Sequence, residues 1–263
     1  MRRLLRSVGA VLVVVGYYVL SPLVYLVLAL WCVLWPSDAH TKRRAMLWVL
    51  HRSFRGLHWV TRLIRMQHYI PAPPPTLPTP CVMVANHPTL MDVTAILATV
   101  PHTVTVVKPS VYRRPLLGTV LRYAGFLAGP ERSPDRLAQM METAQTRLRE
   151  GYNVLIFPEG TRSPQGEILS FSRAAFEIAC RAQVPVVPIT VECTPPWLSK
   201  EIPLYVIPRD TAHMTLTFLS PHDPADVEYK SRALRDSVRR VIVERLTQPP
   251  ASSASMSKRP PHV

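Results

Sequence analysis

Apolar positions dominate the first part of the chain. Val8 to Trp35 is a run of 28 residues without a charge. As one straight helix it would be about 42 Å long, against a hydrocarbon thickness of ~30 Å. Ser21-Pro22 divides the run into two equal halves, and proline removes a backbone donor where a kink or break would fall. Two arrangements fit, a single tilted and kinked transmembrane helix or a re-entrant hairpin. Basic residues on both flanks (Arg2, Arg3 and Arg6 before, Lys42, Arg43 and Arg44 after) draw both ends to the cytoplasmic face and favour the hairpin. The run is too long for a signal peptide, and no small-residue cleavage site ends it.

Over 44–66 the pattern changes period. Leu47, Leu50, Phe54, Leu57, Val60 and Ile64 alternate with Arg44, His51, Arg55, His58, Arg62 and Arg65. This spacing predicts an amphipathic helix with one basic stripe, with Trp48 and Trp59 near its edge. Such a helix either packs on the core or lies in a membrane interface. The basic stripe beside an apolar anchor favours the interface.

A proline-rich linker, 71–80, follows. Beyond it strand and helix signals alternate. Strands are predicted at Cys81–Ala85, Thr103–Val107, Asn153–Phe157, Val184–Val191 and Met214–Leu219. Helices are predicted after Asn86 to about Val100, from Ser133-Pro134 to Gly151, from Phe171 to Ala182 and from Asp223 to Leu246. This order predicts an α/β domain over 81–247, a mostly parallel, mixed sheet covered by helices, carried on N-terminal anchor helices over 1–70. Residues 248–263 read as a disordered tail.

Charge sharpens the picture. The chain has 31 Lys and Arg against 17 Asp and Glu, a net +14. Ten of those basic residues and one of the acidic ones precede Ile70, so most of the excess sits beside the apolar run. That placement points to an anionic membrane surface as partner. Zinc-finger spacing, RNA-binding aromatic signatures and basic-region heptads are missing, which sets nucleic acid aside. Cys32, Cys81, Cys180 and Cys193 form no Cys-x-x-Cys pair, so buried free thiols are expected rather than a disulfide framework or a metal site.

Two motifs carry candidate chemistry. In Asn86-His87-Pro88-Thr89-Leu90-Met91-Asp92, a histidine leaves a strand and an aspartate follows within the first turn of a helix. The carboxylate can orient the imidazole and stabilise its protonated form, leaving the other ring nitrogen as a general base. No serine or cysteine nucleophile is close in sequence, so the substrate's own hydroxyl is the group to activate. A helix-capping histidine beside a solvated aspartate is the plain alternative. In Phe157-Pro158-Glu159-Gly160-Thr161-Arg162-Ser163, at the end of another strand, Arg162 offers a fork and Thr161 a hydroxyl for phosphate, and Gly160 permits close backbone approach. Lys108, ending the Thr103–Val107 strand, adds a positive charge at the same sheet edge.

Together, His-x4-Asp and Phe-Pro-Glu-Gly-Thr-Arg about seventy residues later resemble the glycerophospholipid acyltransferase family, whose best-known members are the 1-acylglycerol-3-phosphate acyltransferases. The resemblance covers about 81–192 and extends to Lys108, Gly125-Phe126 and Val186-Val187-Pro188. It implies His87 as general base, Asp92 as its partner, and Glu159, Gly160, Thr161 and Arg162 as the acceptor-phosphate segment. It further implies a lysophospholipid acceptor, acyl-CoA or acyl-carrier protein as co-substrate without a resident cofactor, and an N-terminal membrane-associated helical pair. The site is then expected on the cytoplasmic face of the inner membrane, among membrane phospholipids. Thr89 stands where many members have serine, Glu131 where an arginine is usual (Arg132 comes next), and Ala174 where glycine is common. The Asn-His-Pro-Thr-Leu-x-Asp form resembles a less characterised bacterial branch, some of it tied to unusual lipid or polyene pathways. Another lipid acceptor, a hydrolase, or a non-catalytic lipid-binding membrane protein are the competing expectations.

Overall fold

The computed structural model describes residues 23–70, 76–131, 133–164, 167–202 and 210–247. The first half of the apolar run with its Ser21-Pro22 break, residues 71–75 of the linker, Arg132 and the 248–263 tail lie outside the described residues.

Helix α1 (23–34) leads into α2 (Ala39–Leu63), whose N-terminus is capped by the Asp38 carboxylate accepting from Thr41 N and Thr41 Oγ1. The strands are β1 (Gln67–His68), β2 (Val82–Ala85), β3 (Thr103–Val107), β4 (Leu127–Ala128), β5 (Asn153–Ile156), β6 (Val186–Thr194) and β7 (Ala212–Phe218). Between them lie α3 (Asp92–Thr99), α4 (Pro109–Tyr112), α5 (Pro115–Tyr123), α6 (Pro134–Arg149) and α7 (Ala174–Ala182), and α8 (Ser231–Thr247) closes the domain. Among the described residues the strands form one seven-stranded sheet in the order β1-β7-β6-β2-β5-β3-β4, parallel except where β7 pairs antiparallel to β6. The α/β class with a mostly parallel, mixed sheet is as expected.

Alternation along the central strands feeds two cores. Val82, Val84, Val154, Ile156 and Val186 join α6, α7 and α8 on one face. Met83, Ala85, Leu155, Val187 and Ile189 join Ala95 and Ile96 of α3, Tyr69 and Trp197 on the other. Burial on both faces is why these strands read as unbroken apolar runs.

Strands β1 and β4 and helices α4 and α5 are additions to the sequence pattern, and three expected elements differ from it for visible reasons. Helix α7 begins at Ala174, not Phe171, because Phe171 turns inward to stack on Phe176 with ring centroids 6.5 Å apart. The expected 223–246 helix is split. Asp223 Oδ1 accepts from Ala225 N to cap a 3-10 turn (Pro224–Val227), and Glu228 and Tyr229 take left-handed backbone before α8 starts. Strand β6 runs on to Thr194 because β7 pairs along its second half.

Helix α2 settles on the domain. Met46 and Leu47 are buried, and Leu50, Phe54 and Leu57 pack on the two cores. The basic stripe divides: His51 and Arg55 contact Leu97 O and Ala98 O at the C-terminal end of α3, complementing that helix's negative end. Arg44, Arg52 and Arg62 stay exposed, beside Trp48 and Trp59. Among the described residues no helix is long and apolar enough to cross a membrane.

Candidate active site

The three strands that carry the motifs, β2, β5 and β3, are neighbours in the sheet and parallel, so their C-terminal ends open on one edge. His87 follows β2, the Pro158–Ser163 segment follows β5 and Lys108 follows β3. This is the edge at which open parallel sheets bind ligands. Asn86 fastens it: its side-chain amide donates to Val191 O at 2.9 Å and accepts from Val191 N at 2.7 Å, prolonging the β2–β6 ladder past the end of β2.

Beyond Asn86 the chain turns into α3. His87 Nδ1 is 3.0 Å from Asp92 Oδ2, with the His87 side chain 17% exposed and that of Asp92 fully buried. Asp92 also accepts from Thr89 N at 2.8 Å and from the Thr89 hydroxyl, whose oxygen in turn accepts from Met91 N. These bonds tie the turn before α3 to the first residue of that helix. They meet the hydrogen-bond demand of a carboxylate that has lost all its water. Burial pushes the Asp92 carboxyl up, opposed by the His87 contact and the Thr89 bonds. An imidazole that donates from Nδ1 to a carboxylate carries its lone pair on Nε2, and among the described residues nothing bonds that nitrogen. The Phe157 ring packs beside the imidazole, centroids 4.3 Å apart, and limits its rotation.

Glu159 ties the two motifs together. Its Oε1 accepts from His87 N at 3.1 Å and from Ser163 Oγ at 2.8 Å, and its Oε2 accepts from Leu169 N at 2.8 Å. Ser163 N returns a bond to His87 O at 2.9 Å. Gly160 lies between with φ +68°, a left-handed turn with open space where a side chain would project. Thr161 is half-buried beside it.

Arg162 Nη1 donates to Leu198 O at 2.8 Å and to Ser199 O at 2.9 Å, and Leu90 N donates to the same Leu198 carbonyl at 3.0 Å. The guanidinium, the turn after His87 and the loop beyond β6 therefore meet at one carbonyl. Among the described residues the remaining guanidinium nitrogens, Nη2 and Nε, make no hydrogen bond. Lys108 is exposed at the start of α4. Glu131 is paired with Arg113. Cys193 lies nearby, and burial, with the Asp92 charge behind it, pushes its thiol up to about 11.

Sequence reading singled out His87, Asp92 and the Glu159–Arg162 segment but missed the groups that hold them. The Thr89-x-x-Asp92 spacing is a short-range pattern in which a hydroxyl and a carboxylate can bond, and so is legible in sequence. The Leu198 and Ser199 carbonyls leave no trace in sequence, because every residue has one.

Residues 74–192 match the family model described as Acyltransferase. The 1-acyl-sn-glycerol-3-phosphate acyltransferase alpha of Mus musculus is 32% identical over 197 residues, covering 73% of this chain and 65% of that protein. The beta enzyme of Homo sapiens is 33% identical over 112 residues, covering 42% of this chain and 40% of that protein. The chain thus spans less than two-thirds of the length of these curated relatives. The crystal structure of PlsC, the 1-acyl-sn-glycerophosphate acyltransferase of Thermotoga maritima, superposes with a TM-score of 0.69 at 22% identity, covering 100% of both chains, and so shares the fold. By these matches, and with its two motifs gathered on one sheet edge, residues 74–192 form a domain of the acyltransferase family, similar in sequence to the 1-acyl-sn-glycerol-3-phosphate acyltransferases.

Proposed function

We propose that this chain is an O-acyltransferase of phospholipid biosynthesis. It moves a fatty acyl group from a thioester, acyl-CoA or acyl-carrier protein, to the free hydroxyl of a 1-acylglycerol-3-phosphate or related lysophospholipid. The observation that carries the reading is the His87 imidazole, held at Nδ1 by a fully buried carboxylate and with Nε2 unbonded among the described residues, on a loop tied to Arg162 through Glu159, Ser163 and the Leu198 carbonyl.

In this mechanism His87 Nε2 takes the proton of the acceptor hydroxyl as the oxygen attacks the thioester carbonyl. Asp92 stabilises the imidazolium that forms. As the tetrahedral intermediate collapses the C–S bond breaks, and the imidazolium returns its proton to the leaving thiolate. Positioned proton transfer of this kind is worth about 10²–10⁴ in rate. The free nitrogens of Arg162, the Thr161 hydroxyl and Lys108 receive the acceptor's phosphate, Gly160 lets it approach the backbone, and Glu159 positions the segment. An acyl-enzyme is not needed: the neighbouring thiol, Cys193, stays protonated at neutral pH. The exposed apolar side chains of α1 support a site of action at a membrane, and the basic flanks of the apolar run favour the cytoplasmic face of the inner membrane.

Purified protein supplied with labelled acyl-CoA or acyl-carrier protein and a panel of lysophospholipids tests the proposal. Ester formation on a glycerophosphate-type acceptor, lost in His87→Ala with the fold intact, is the expected result. Release of free fatty acid without an acceptor would identify a hydrolase instead. Transfer only to an amino-acid or polyene lipid would replace the acceptor, and binding without turnover would leave a lipid-binding protein.

A further inference from the structure

We infer that the outward face of α2 binds the phosphate of an anionic phospholipid headgroup, at a site separate from the acceptor site. A groove of about 450 Å³ runs along this face, lined by Arg52, Arg55, Gly56, Trp59, Arg62 and the Tyr69–Ile70 segment. At ~100° per residue the five helical members fall within roughly a third of the helix circumference. Space at Gly56 is open, with nothing within 4 Å of where a side chain would start.

Three guanidiniums line the groove, and among the described residues no carboxylate is paired with any of them. Arg55 donates one N–H to Ala98 O, and Arg52 lies over the Trp48 ring at 5.9 Å. Among the described residues their other nitrogens make no hydrogen bond. Guanidiniums match phosphate oxygens bidentately, so the charge and geometry call for a phosphate.

The rim says which kind. Trp59 is 62% exposed, Leu63 65% and Ile70 54%. Arginines ringed by exposed indole and aliphatic groups fit an amphipathic ligand with acyl chains beside its phosphate, as at a membrane interface. An acidic soluble protein or a free anion would leave that apolar rim in water. Leu23, Val27, Leu30 and Leu34 of α1, exposed just ahead in the chain, extend the same apolar character. The inference rests on the membrane placement proposed above and adds selectivity for anionic lipid to it.

Co-sedimentation of the full chain with phosphatidylcholine vesicles, and with vesicles that also contain phosphatidylglycerol, separates the possibilities. Wild type is expected to prefer the anionic vesicles. Each arginine contributes about fivefold at low salt, so Arg52→Gln/Arg55→Gln/Arg62→Gln should lose the preference by more than tenfold. Arg52→Gln/Arg62→Gln, which keeps the Arg55 bond to α3, should lose part of it with unchanged thermal stability. Arg52→Lys/Arg55→Lys/Arg62→Lys should keep some surface attraction but lose binding of a short-chain soluble phosphatidylglycerol. An anionic preference that survives in the glutamine triple variant overturns the groove assignment and leaves the membrane placement standing. Failure of wild type to bind either vesicle overturns both. Glutamine variants that lose binding of inorganic phosphate or an acidic carrier protein, with vesicle preference intact, would assign the groove to that other ligand and overturn the lipid one.

Discussion

Thr89 holds Asp92 from two sides: its backbone N–H reaches one carboxylate oxygen and its hydroxyl the other, while the first oxygen also faces His87 Nδ1 at 3.0 Å. The residue between the two motif positions is therefore part of the apparatus that orients the His87 imidazole. Asp92→Asn replaces an acceptor oxygen with an N–H₂ or turns the imidazole to the wrong tautomer, and kcat should fall on the order of 10²–10⁴. Thr89→Ser, which keeps the hydroxyl, should retain activity. Thr89→Val leaves a buried carboxylate oxygen short of a donor and should cost about 1–3 kcal/mol in urea denaturation together with a reduced kcat. Equal activity of the Ser and Val variants would show that the hydroxyl has no part in orienting the base.

Arg162 has two expected duties, gripping the acceptor's phosphate and pinning the loop at Leu198 and Ser199. Arg162→Lys cannot fork between two carbonyls and a phosphate. The KM for the acceptor should rise roughly tenfold or more, with a smaller change in kcat. Hydrogen exchange at the Leu90 amide, which shares the Leu198 carbonyl, should accelerate in the same variant. Unchanged exchange would mean that the loop holds itself without the guanidinium.

Glu159→Gln tests the tie between the two motif loops. The carboxylate accepts from His87 N, Ser163 Oγ and Leu169 N, and a carboxamide turns an N–H₂ toward at least one of these donors. We expect a loss of about 1–3 kcal/mol in stability. Because one of these donors is the His87 amide, kcat should drop more than the acceptor KM rises. The reverse split would assign Glu159 to acceptor binding.

Acid sensitivity is expected from a residue outside the site. His58 is fully buried, bonds Thr94 Oγ1 at 3.2 Å, packs edge-on to Tyr69, and is lowered by burial to about 4 from its ordinary 6.5. As pH falls through 6.5 the unfolded chain takes up this proton and the folded chain does not, so stability is lost progressively until about pH 4. The full loss from this group is roughly 3 kcal/mol. Urea denaturation of wild type and His58→Gln across that window should give a flatter acid limb for the variant. Parallel limbs would assign the acid sensitivity to other groups.

Period and punctuation in the sequence determined much of the fold. Apolar runs of four or five residues became β2, β3 and β5, and Ser133-Pro134 became the start of α6, because strand alternation and helix capping are local effects. The same local chemistry made the histidine–aspartate pair legible, since both residues lie within one turn of chain. Tertiary structure decided the rest. Only strand order brings β2 and β5 side by side although more than sixty residues separate them, and only sheet pairing reverses β7. The division of α2's basic stripe follows from where α3 ends, a distance no helical period encodes. The clasp on Arg162 is made by main-chain carbonyls, which are alike in every residue, so their position arises solely from the path of the folded chain.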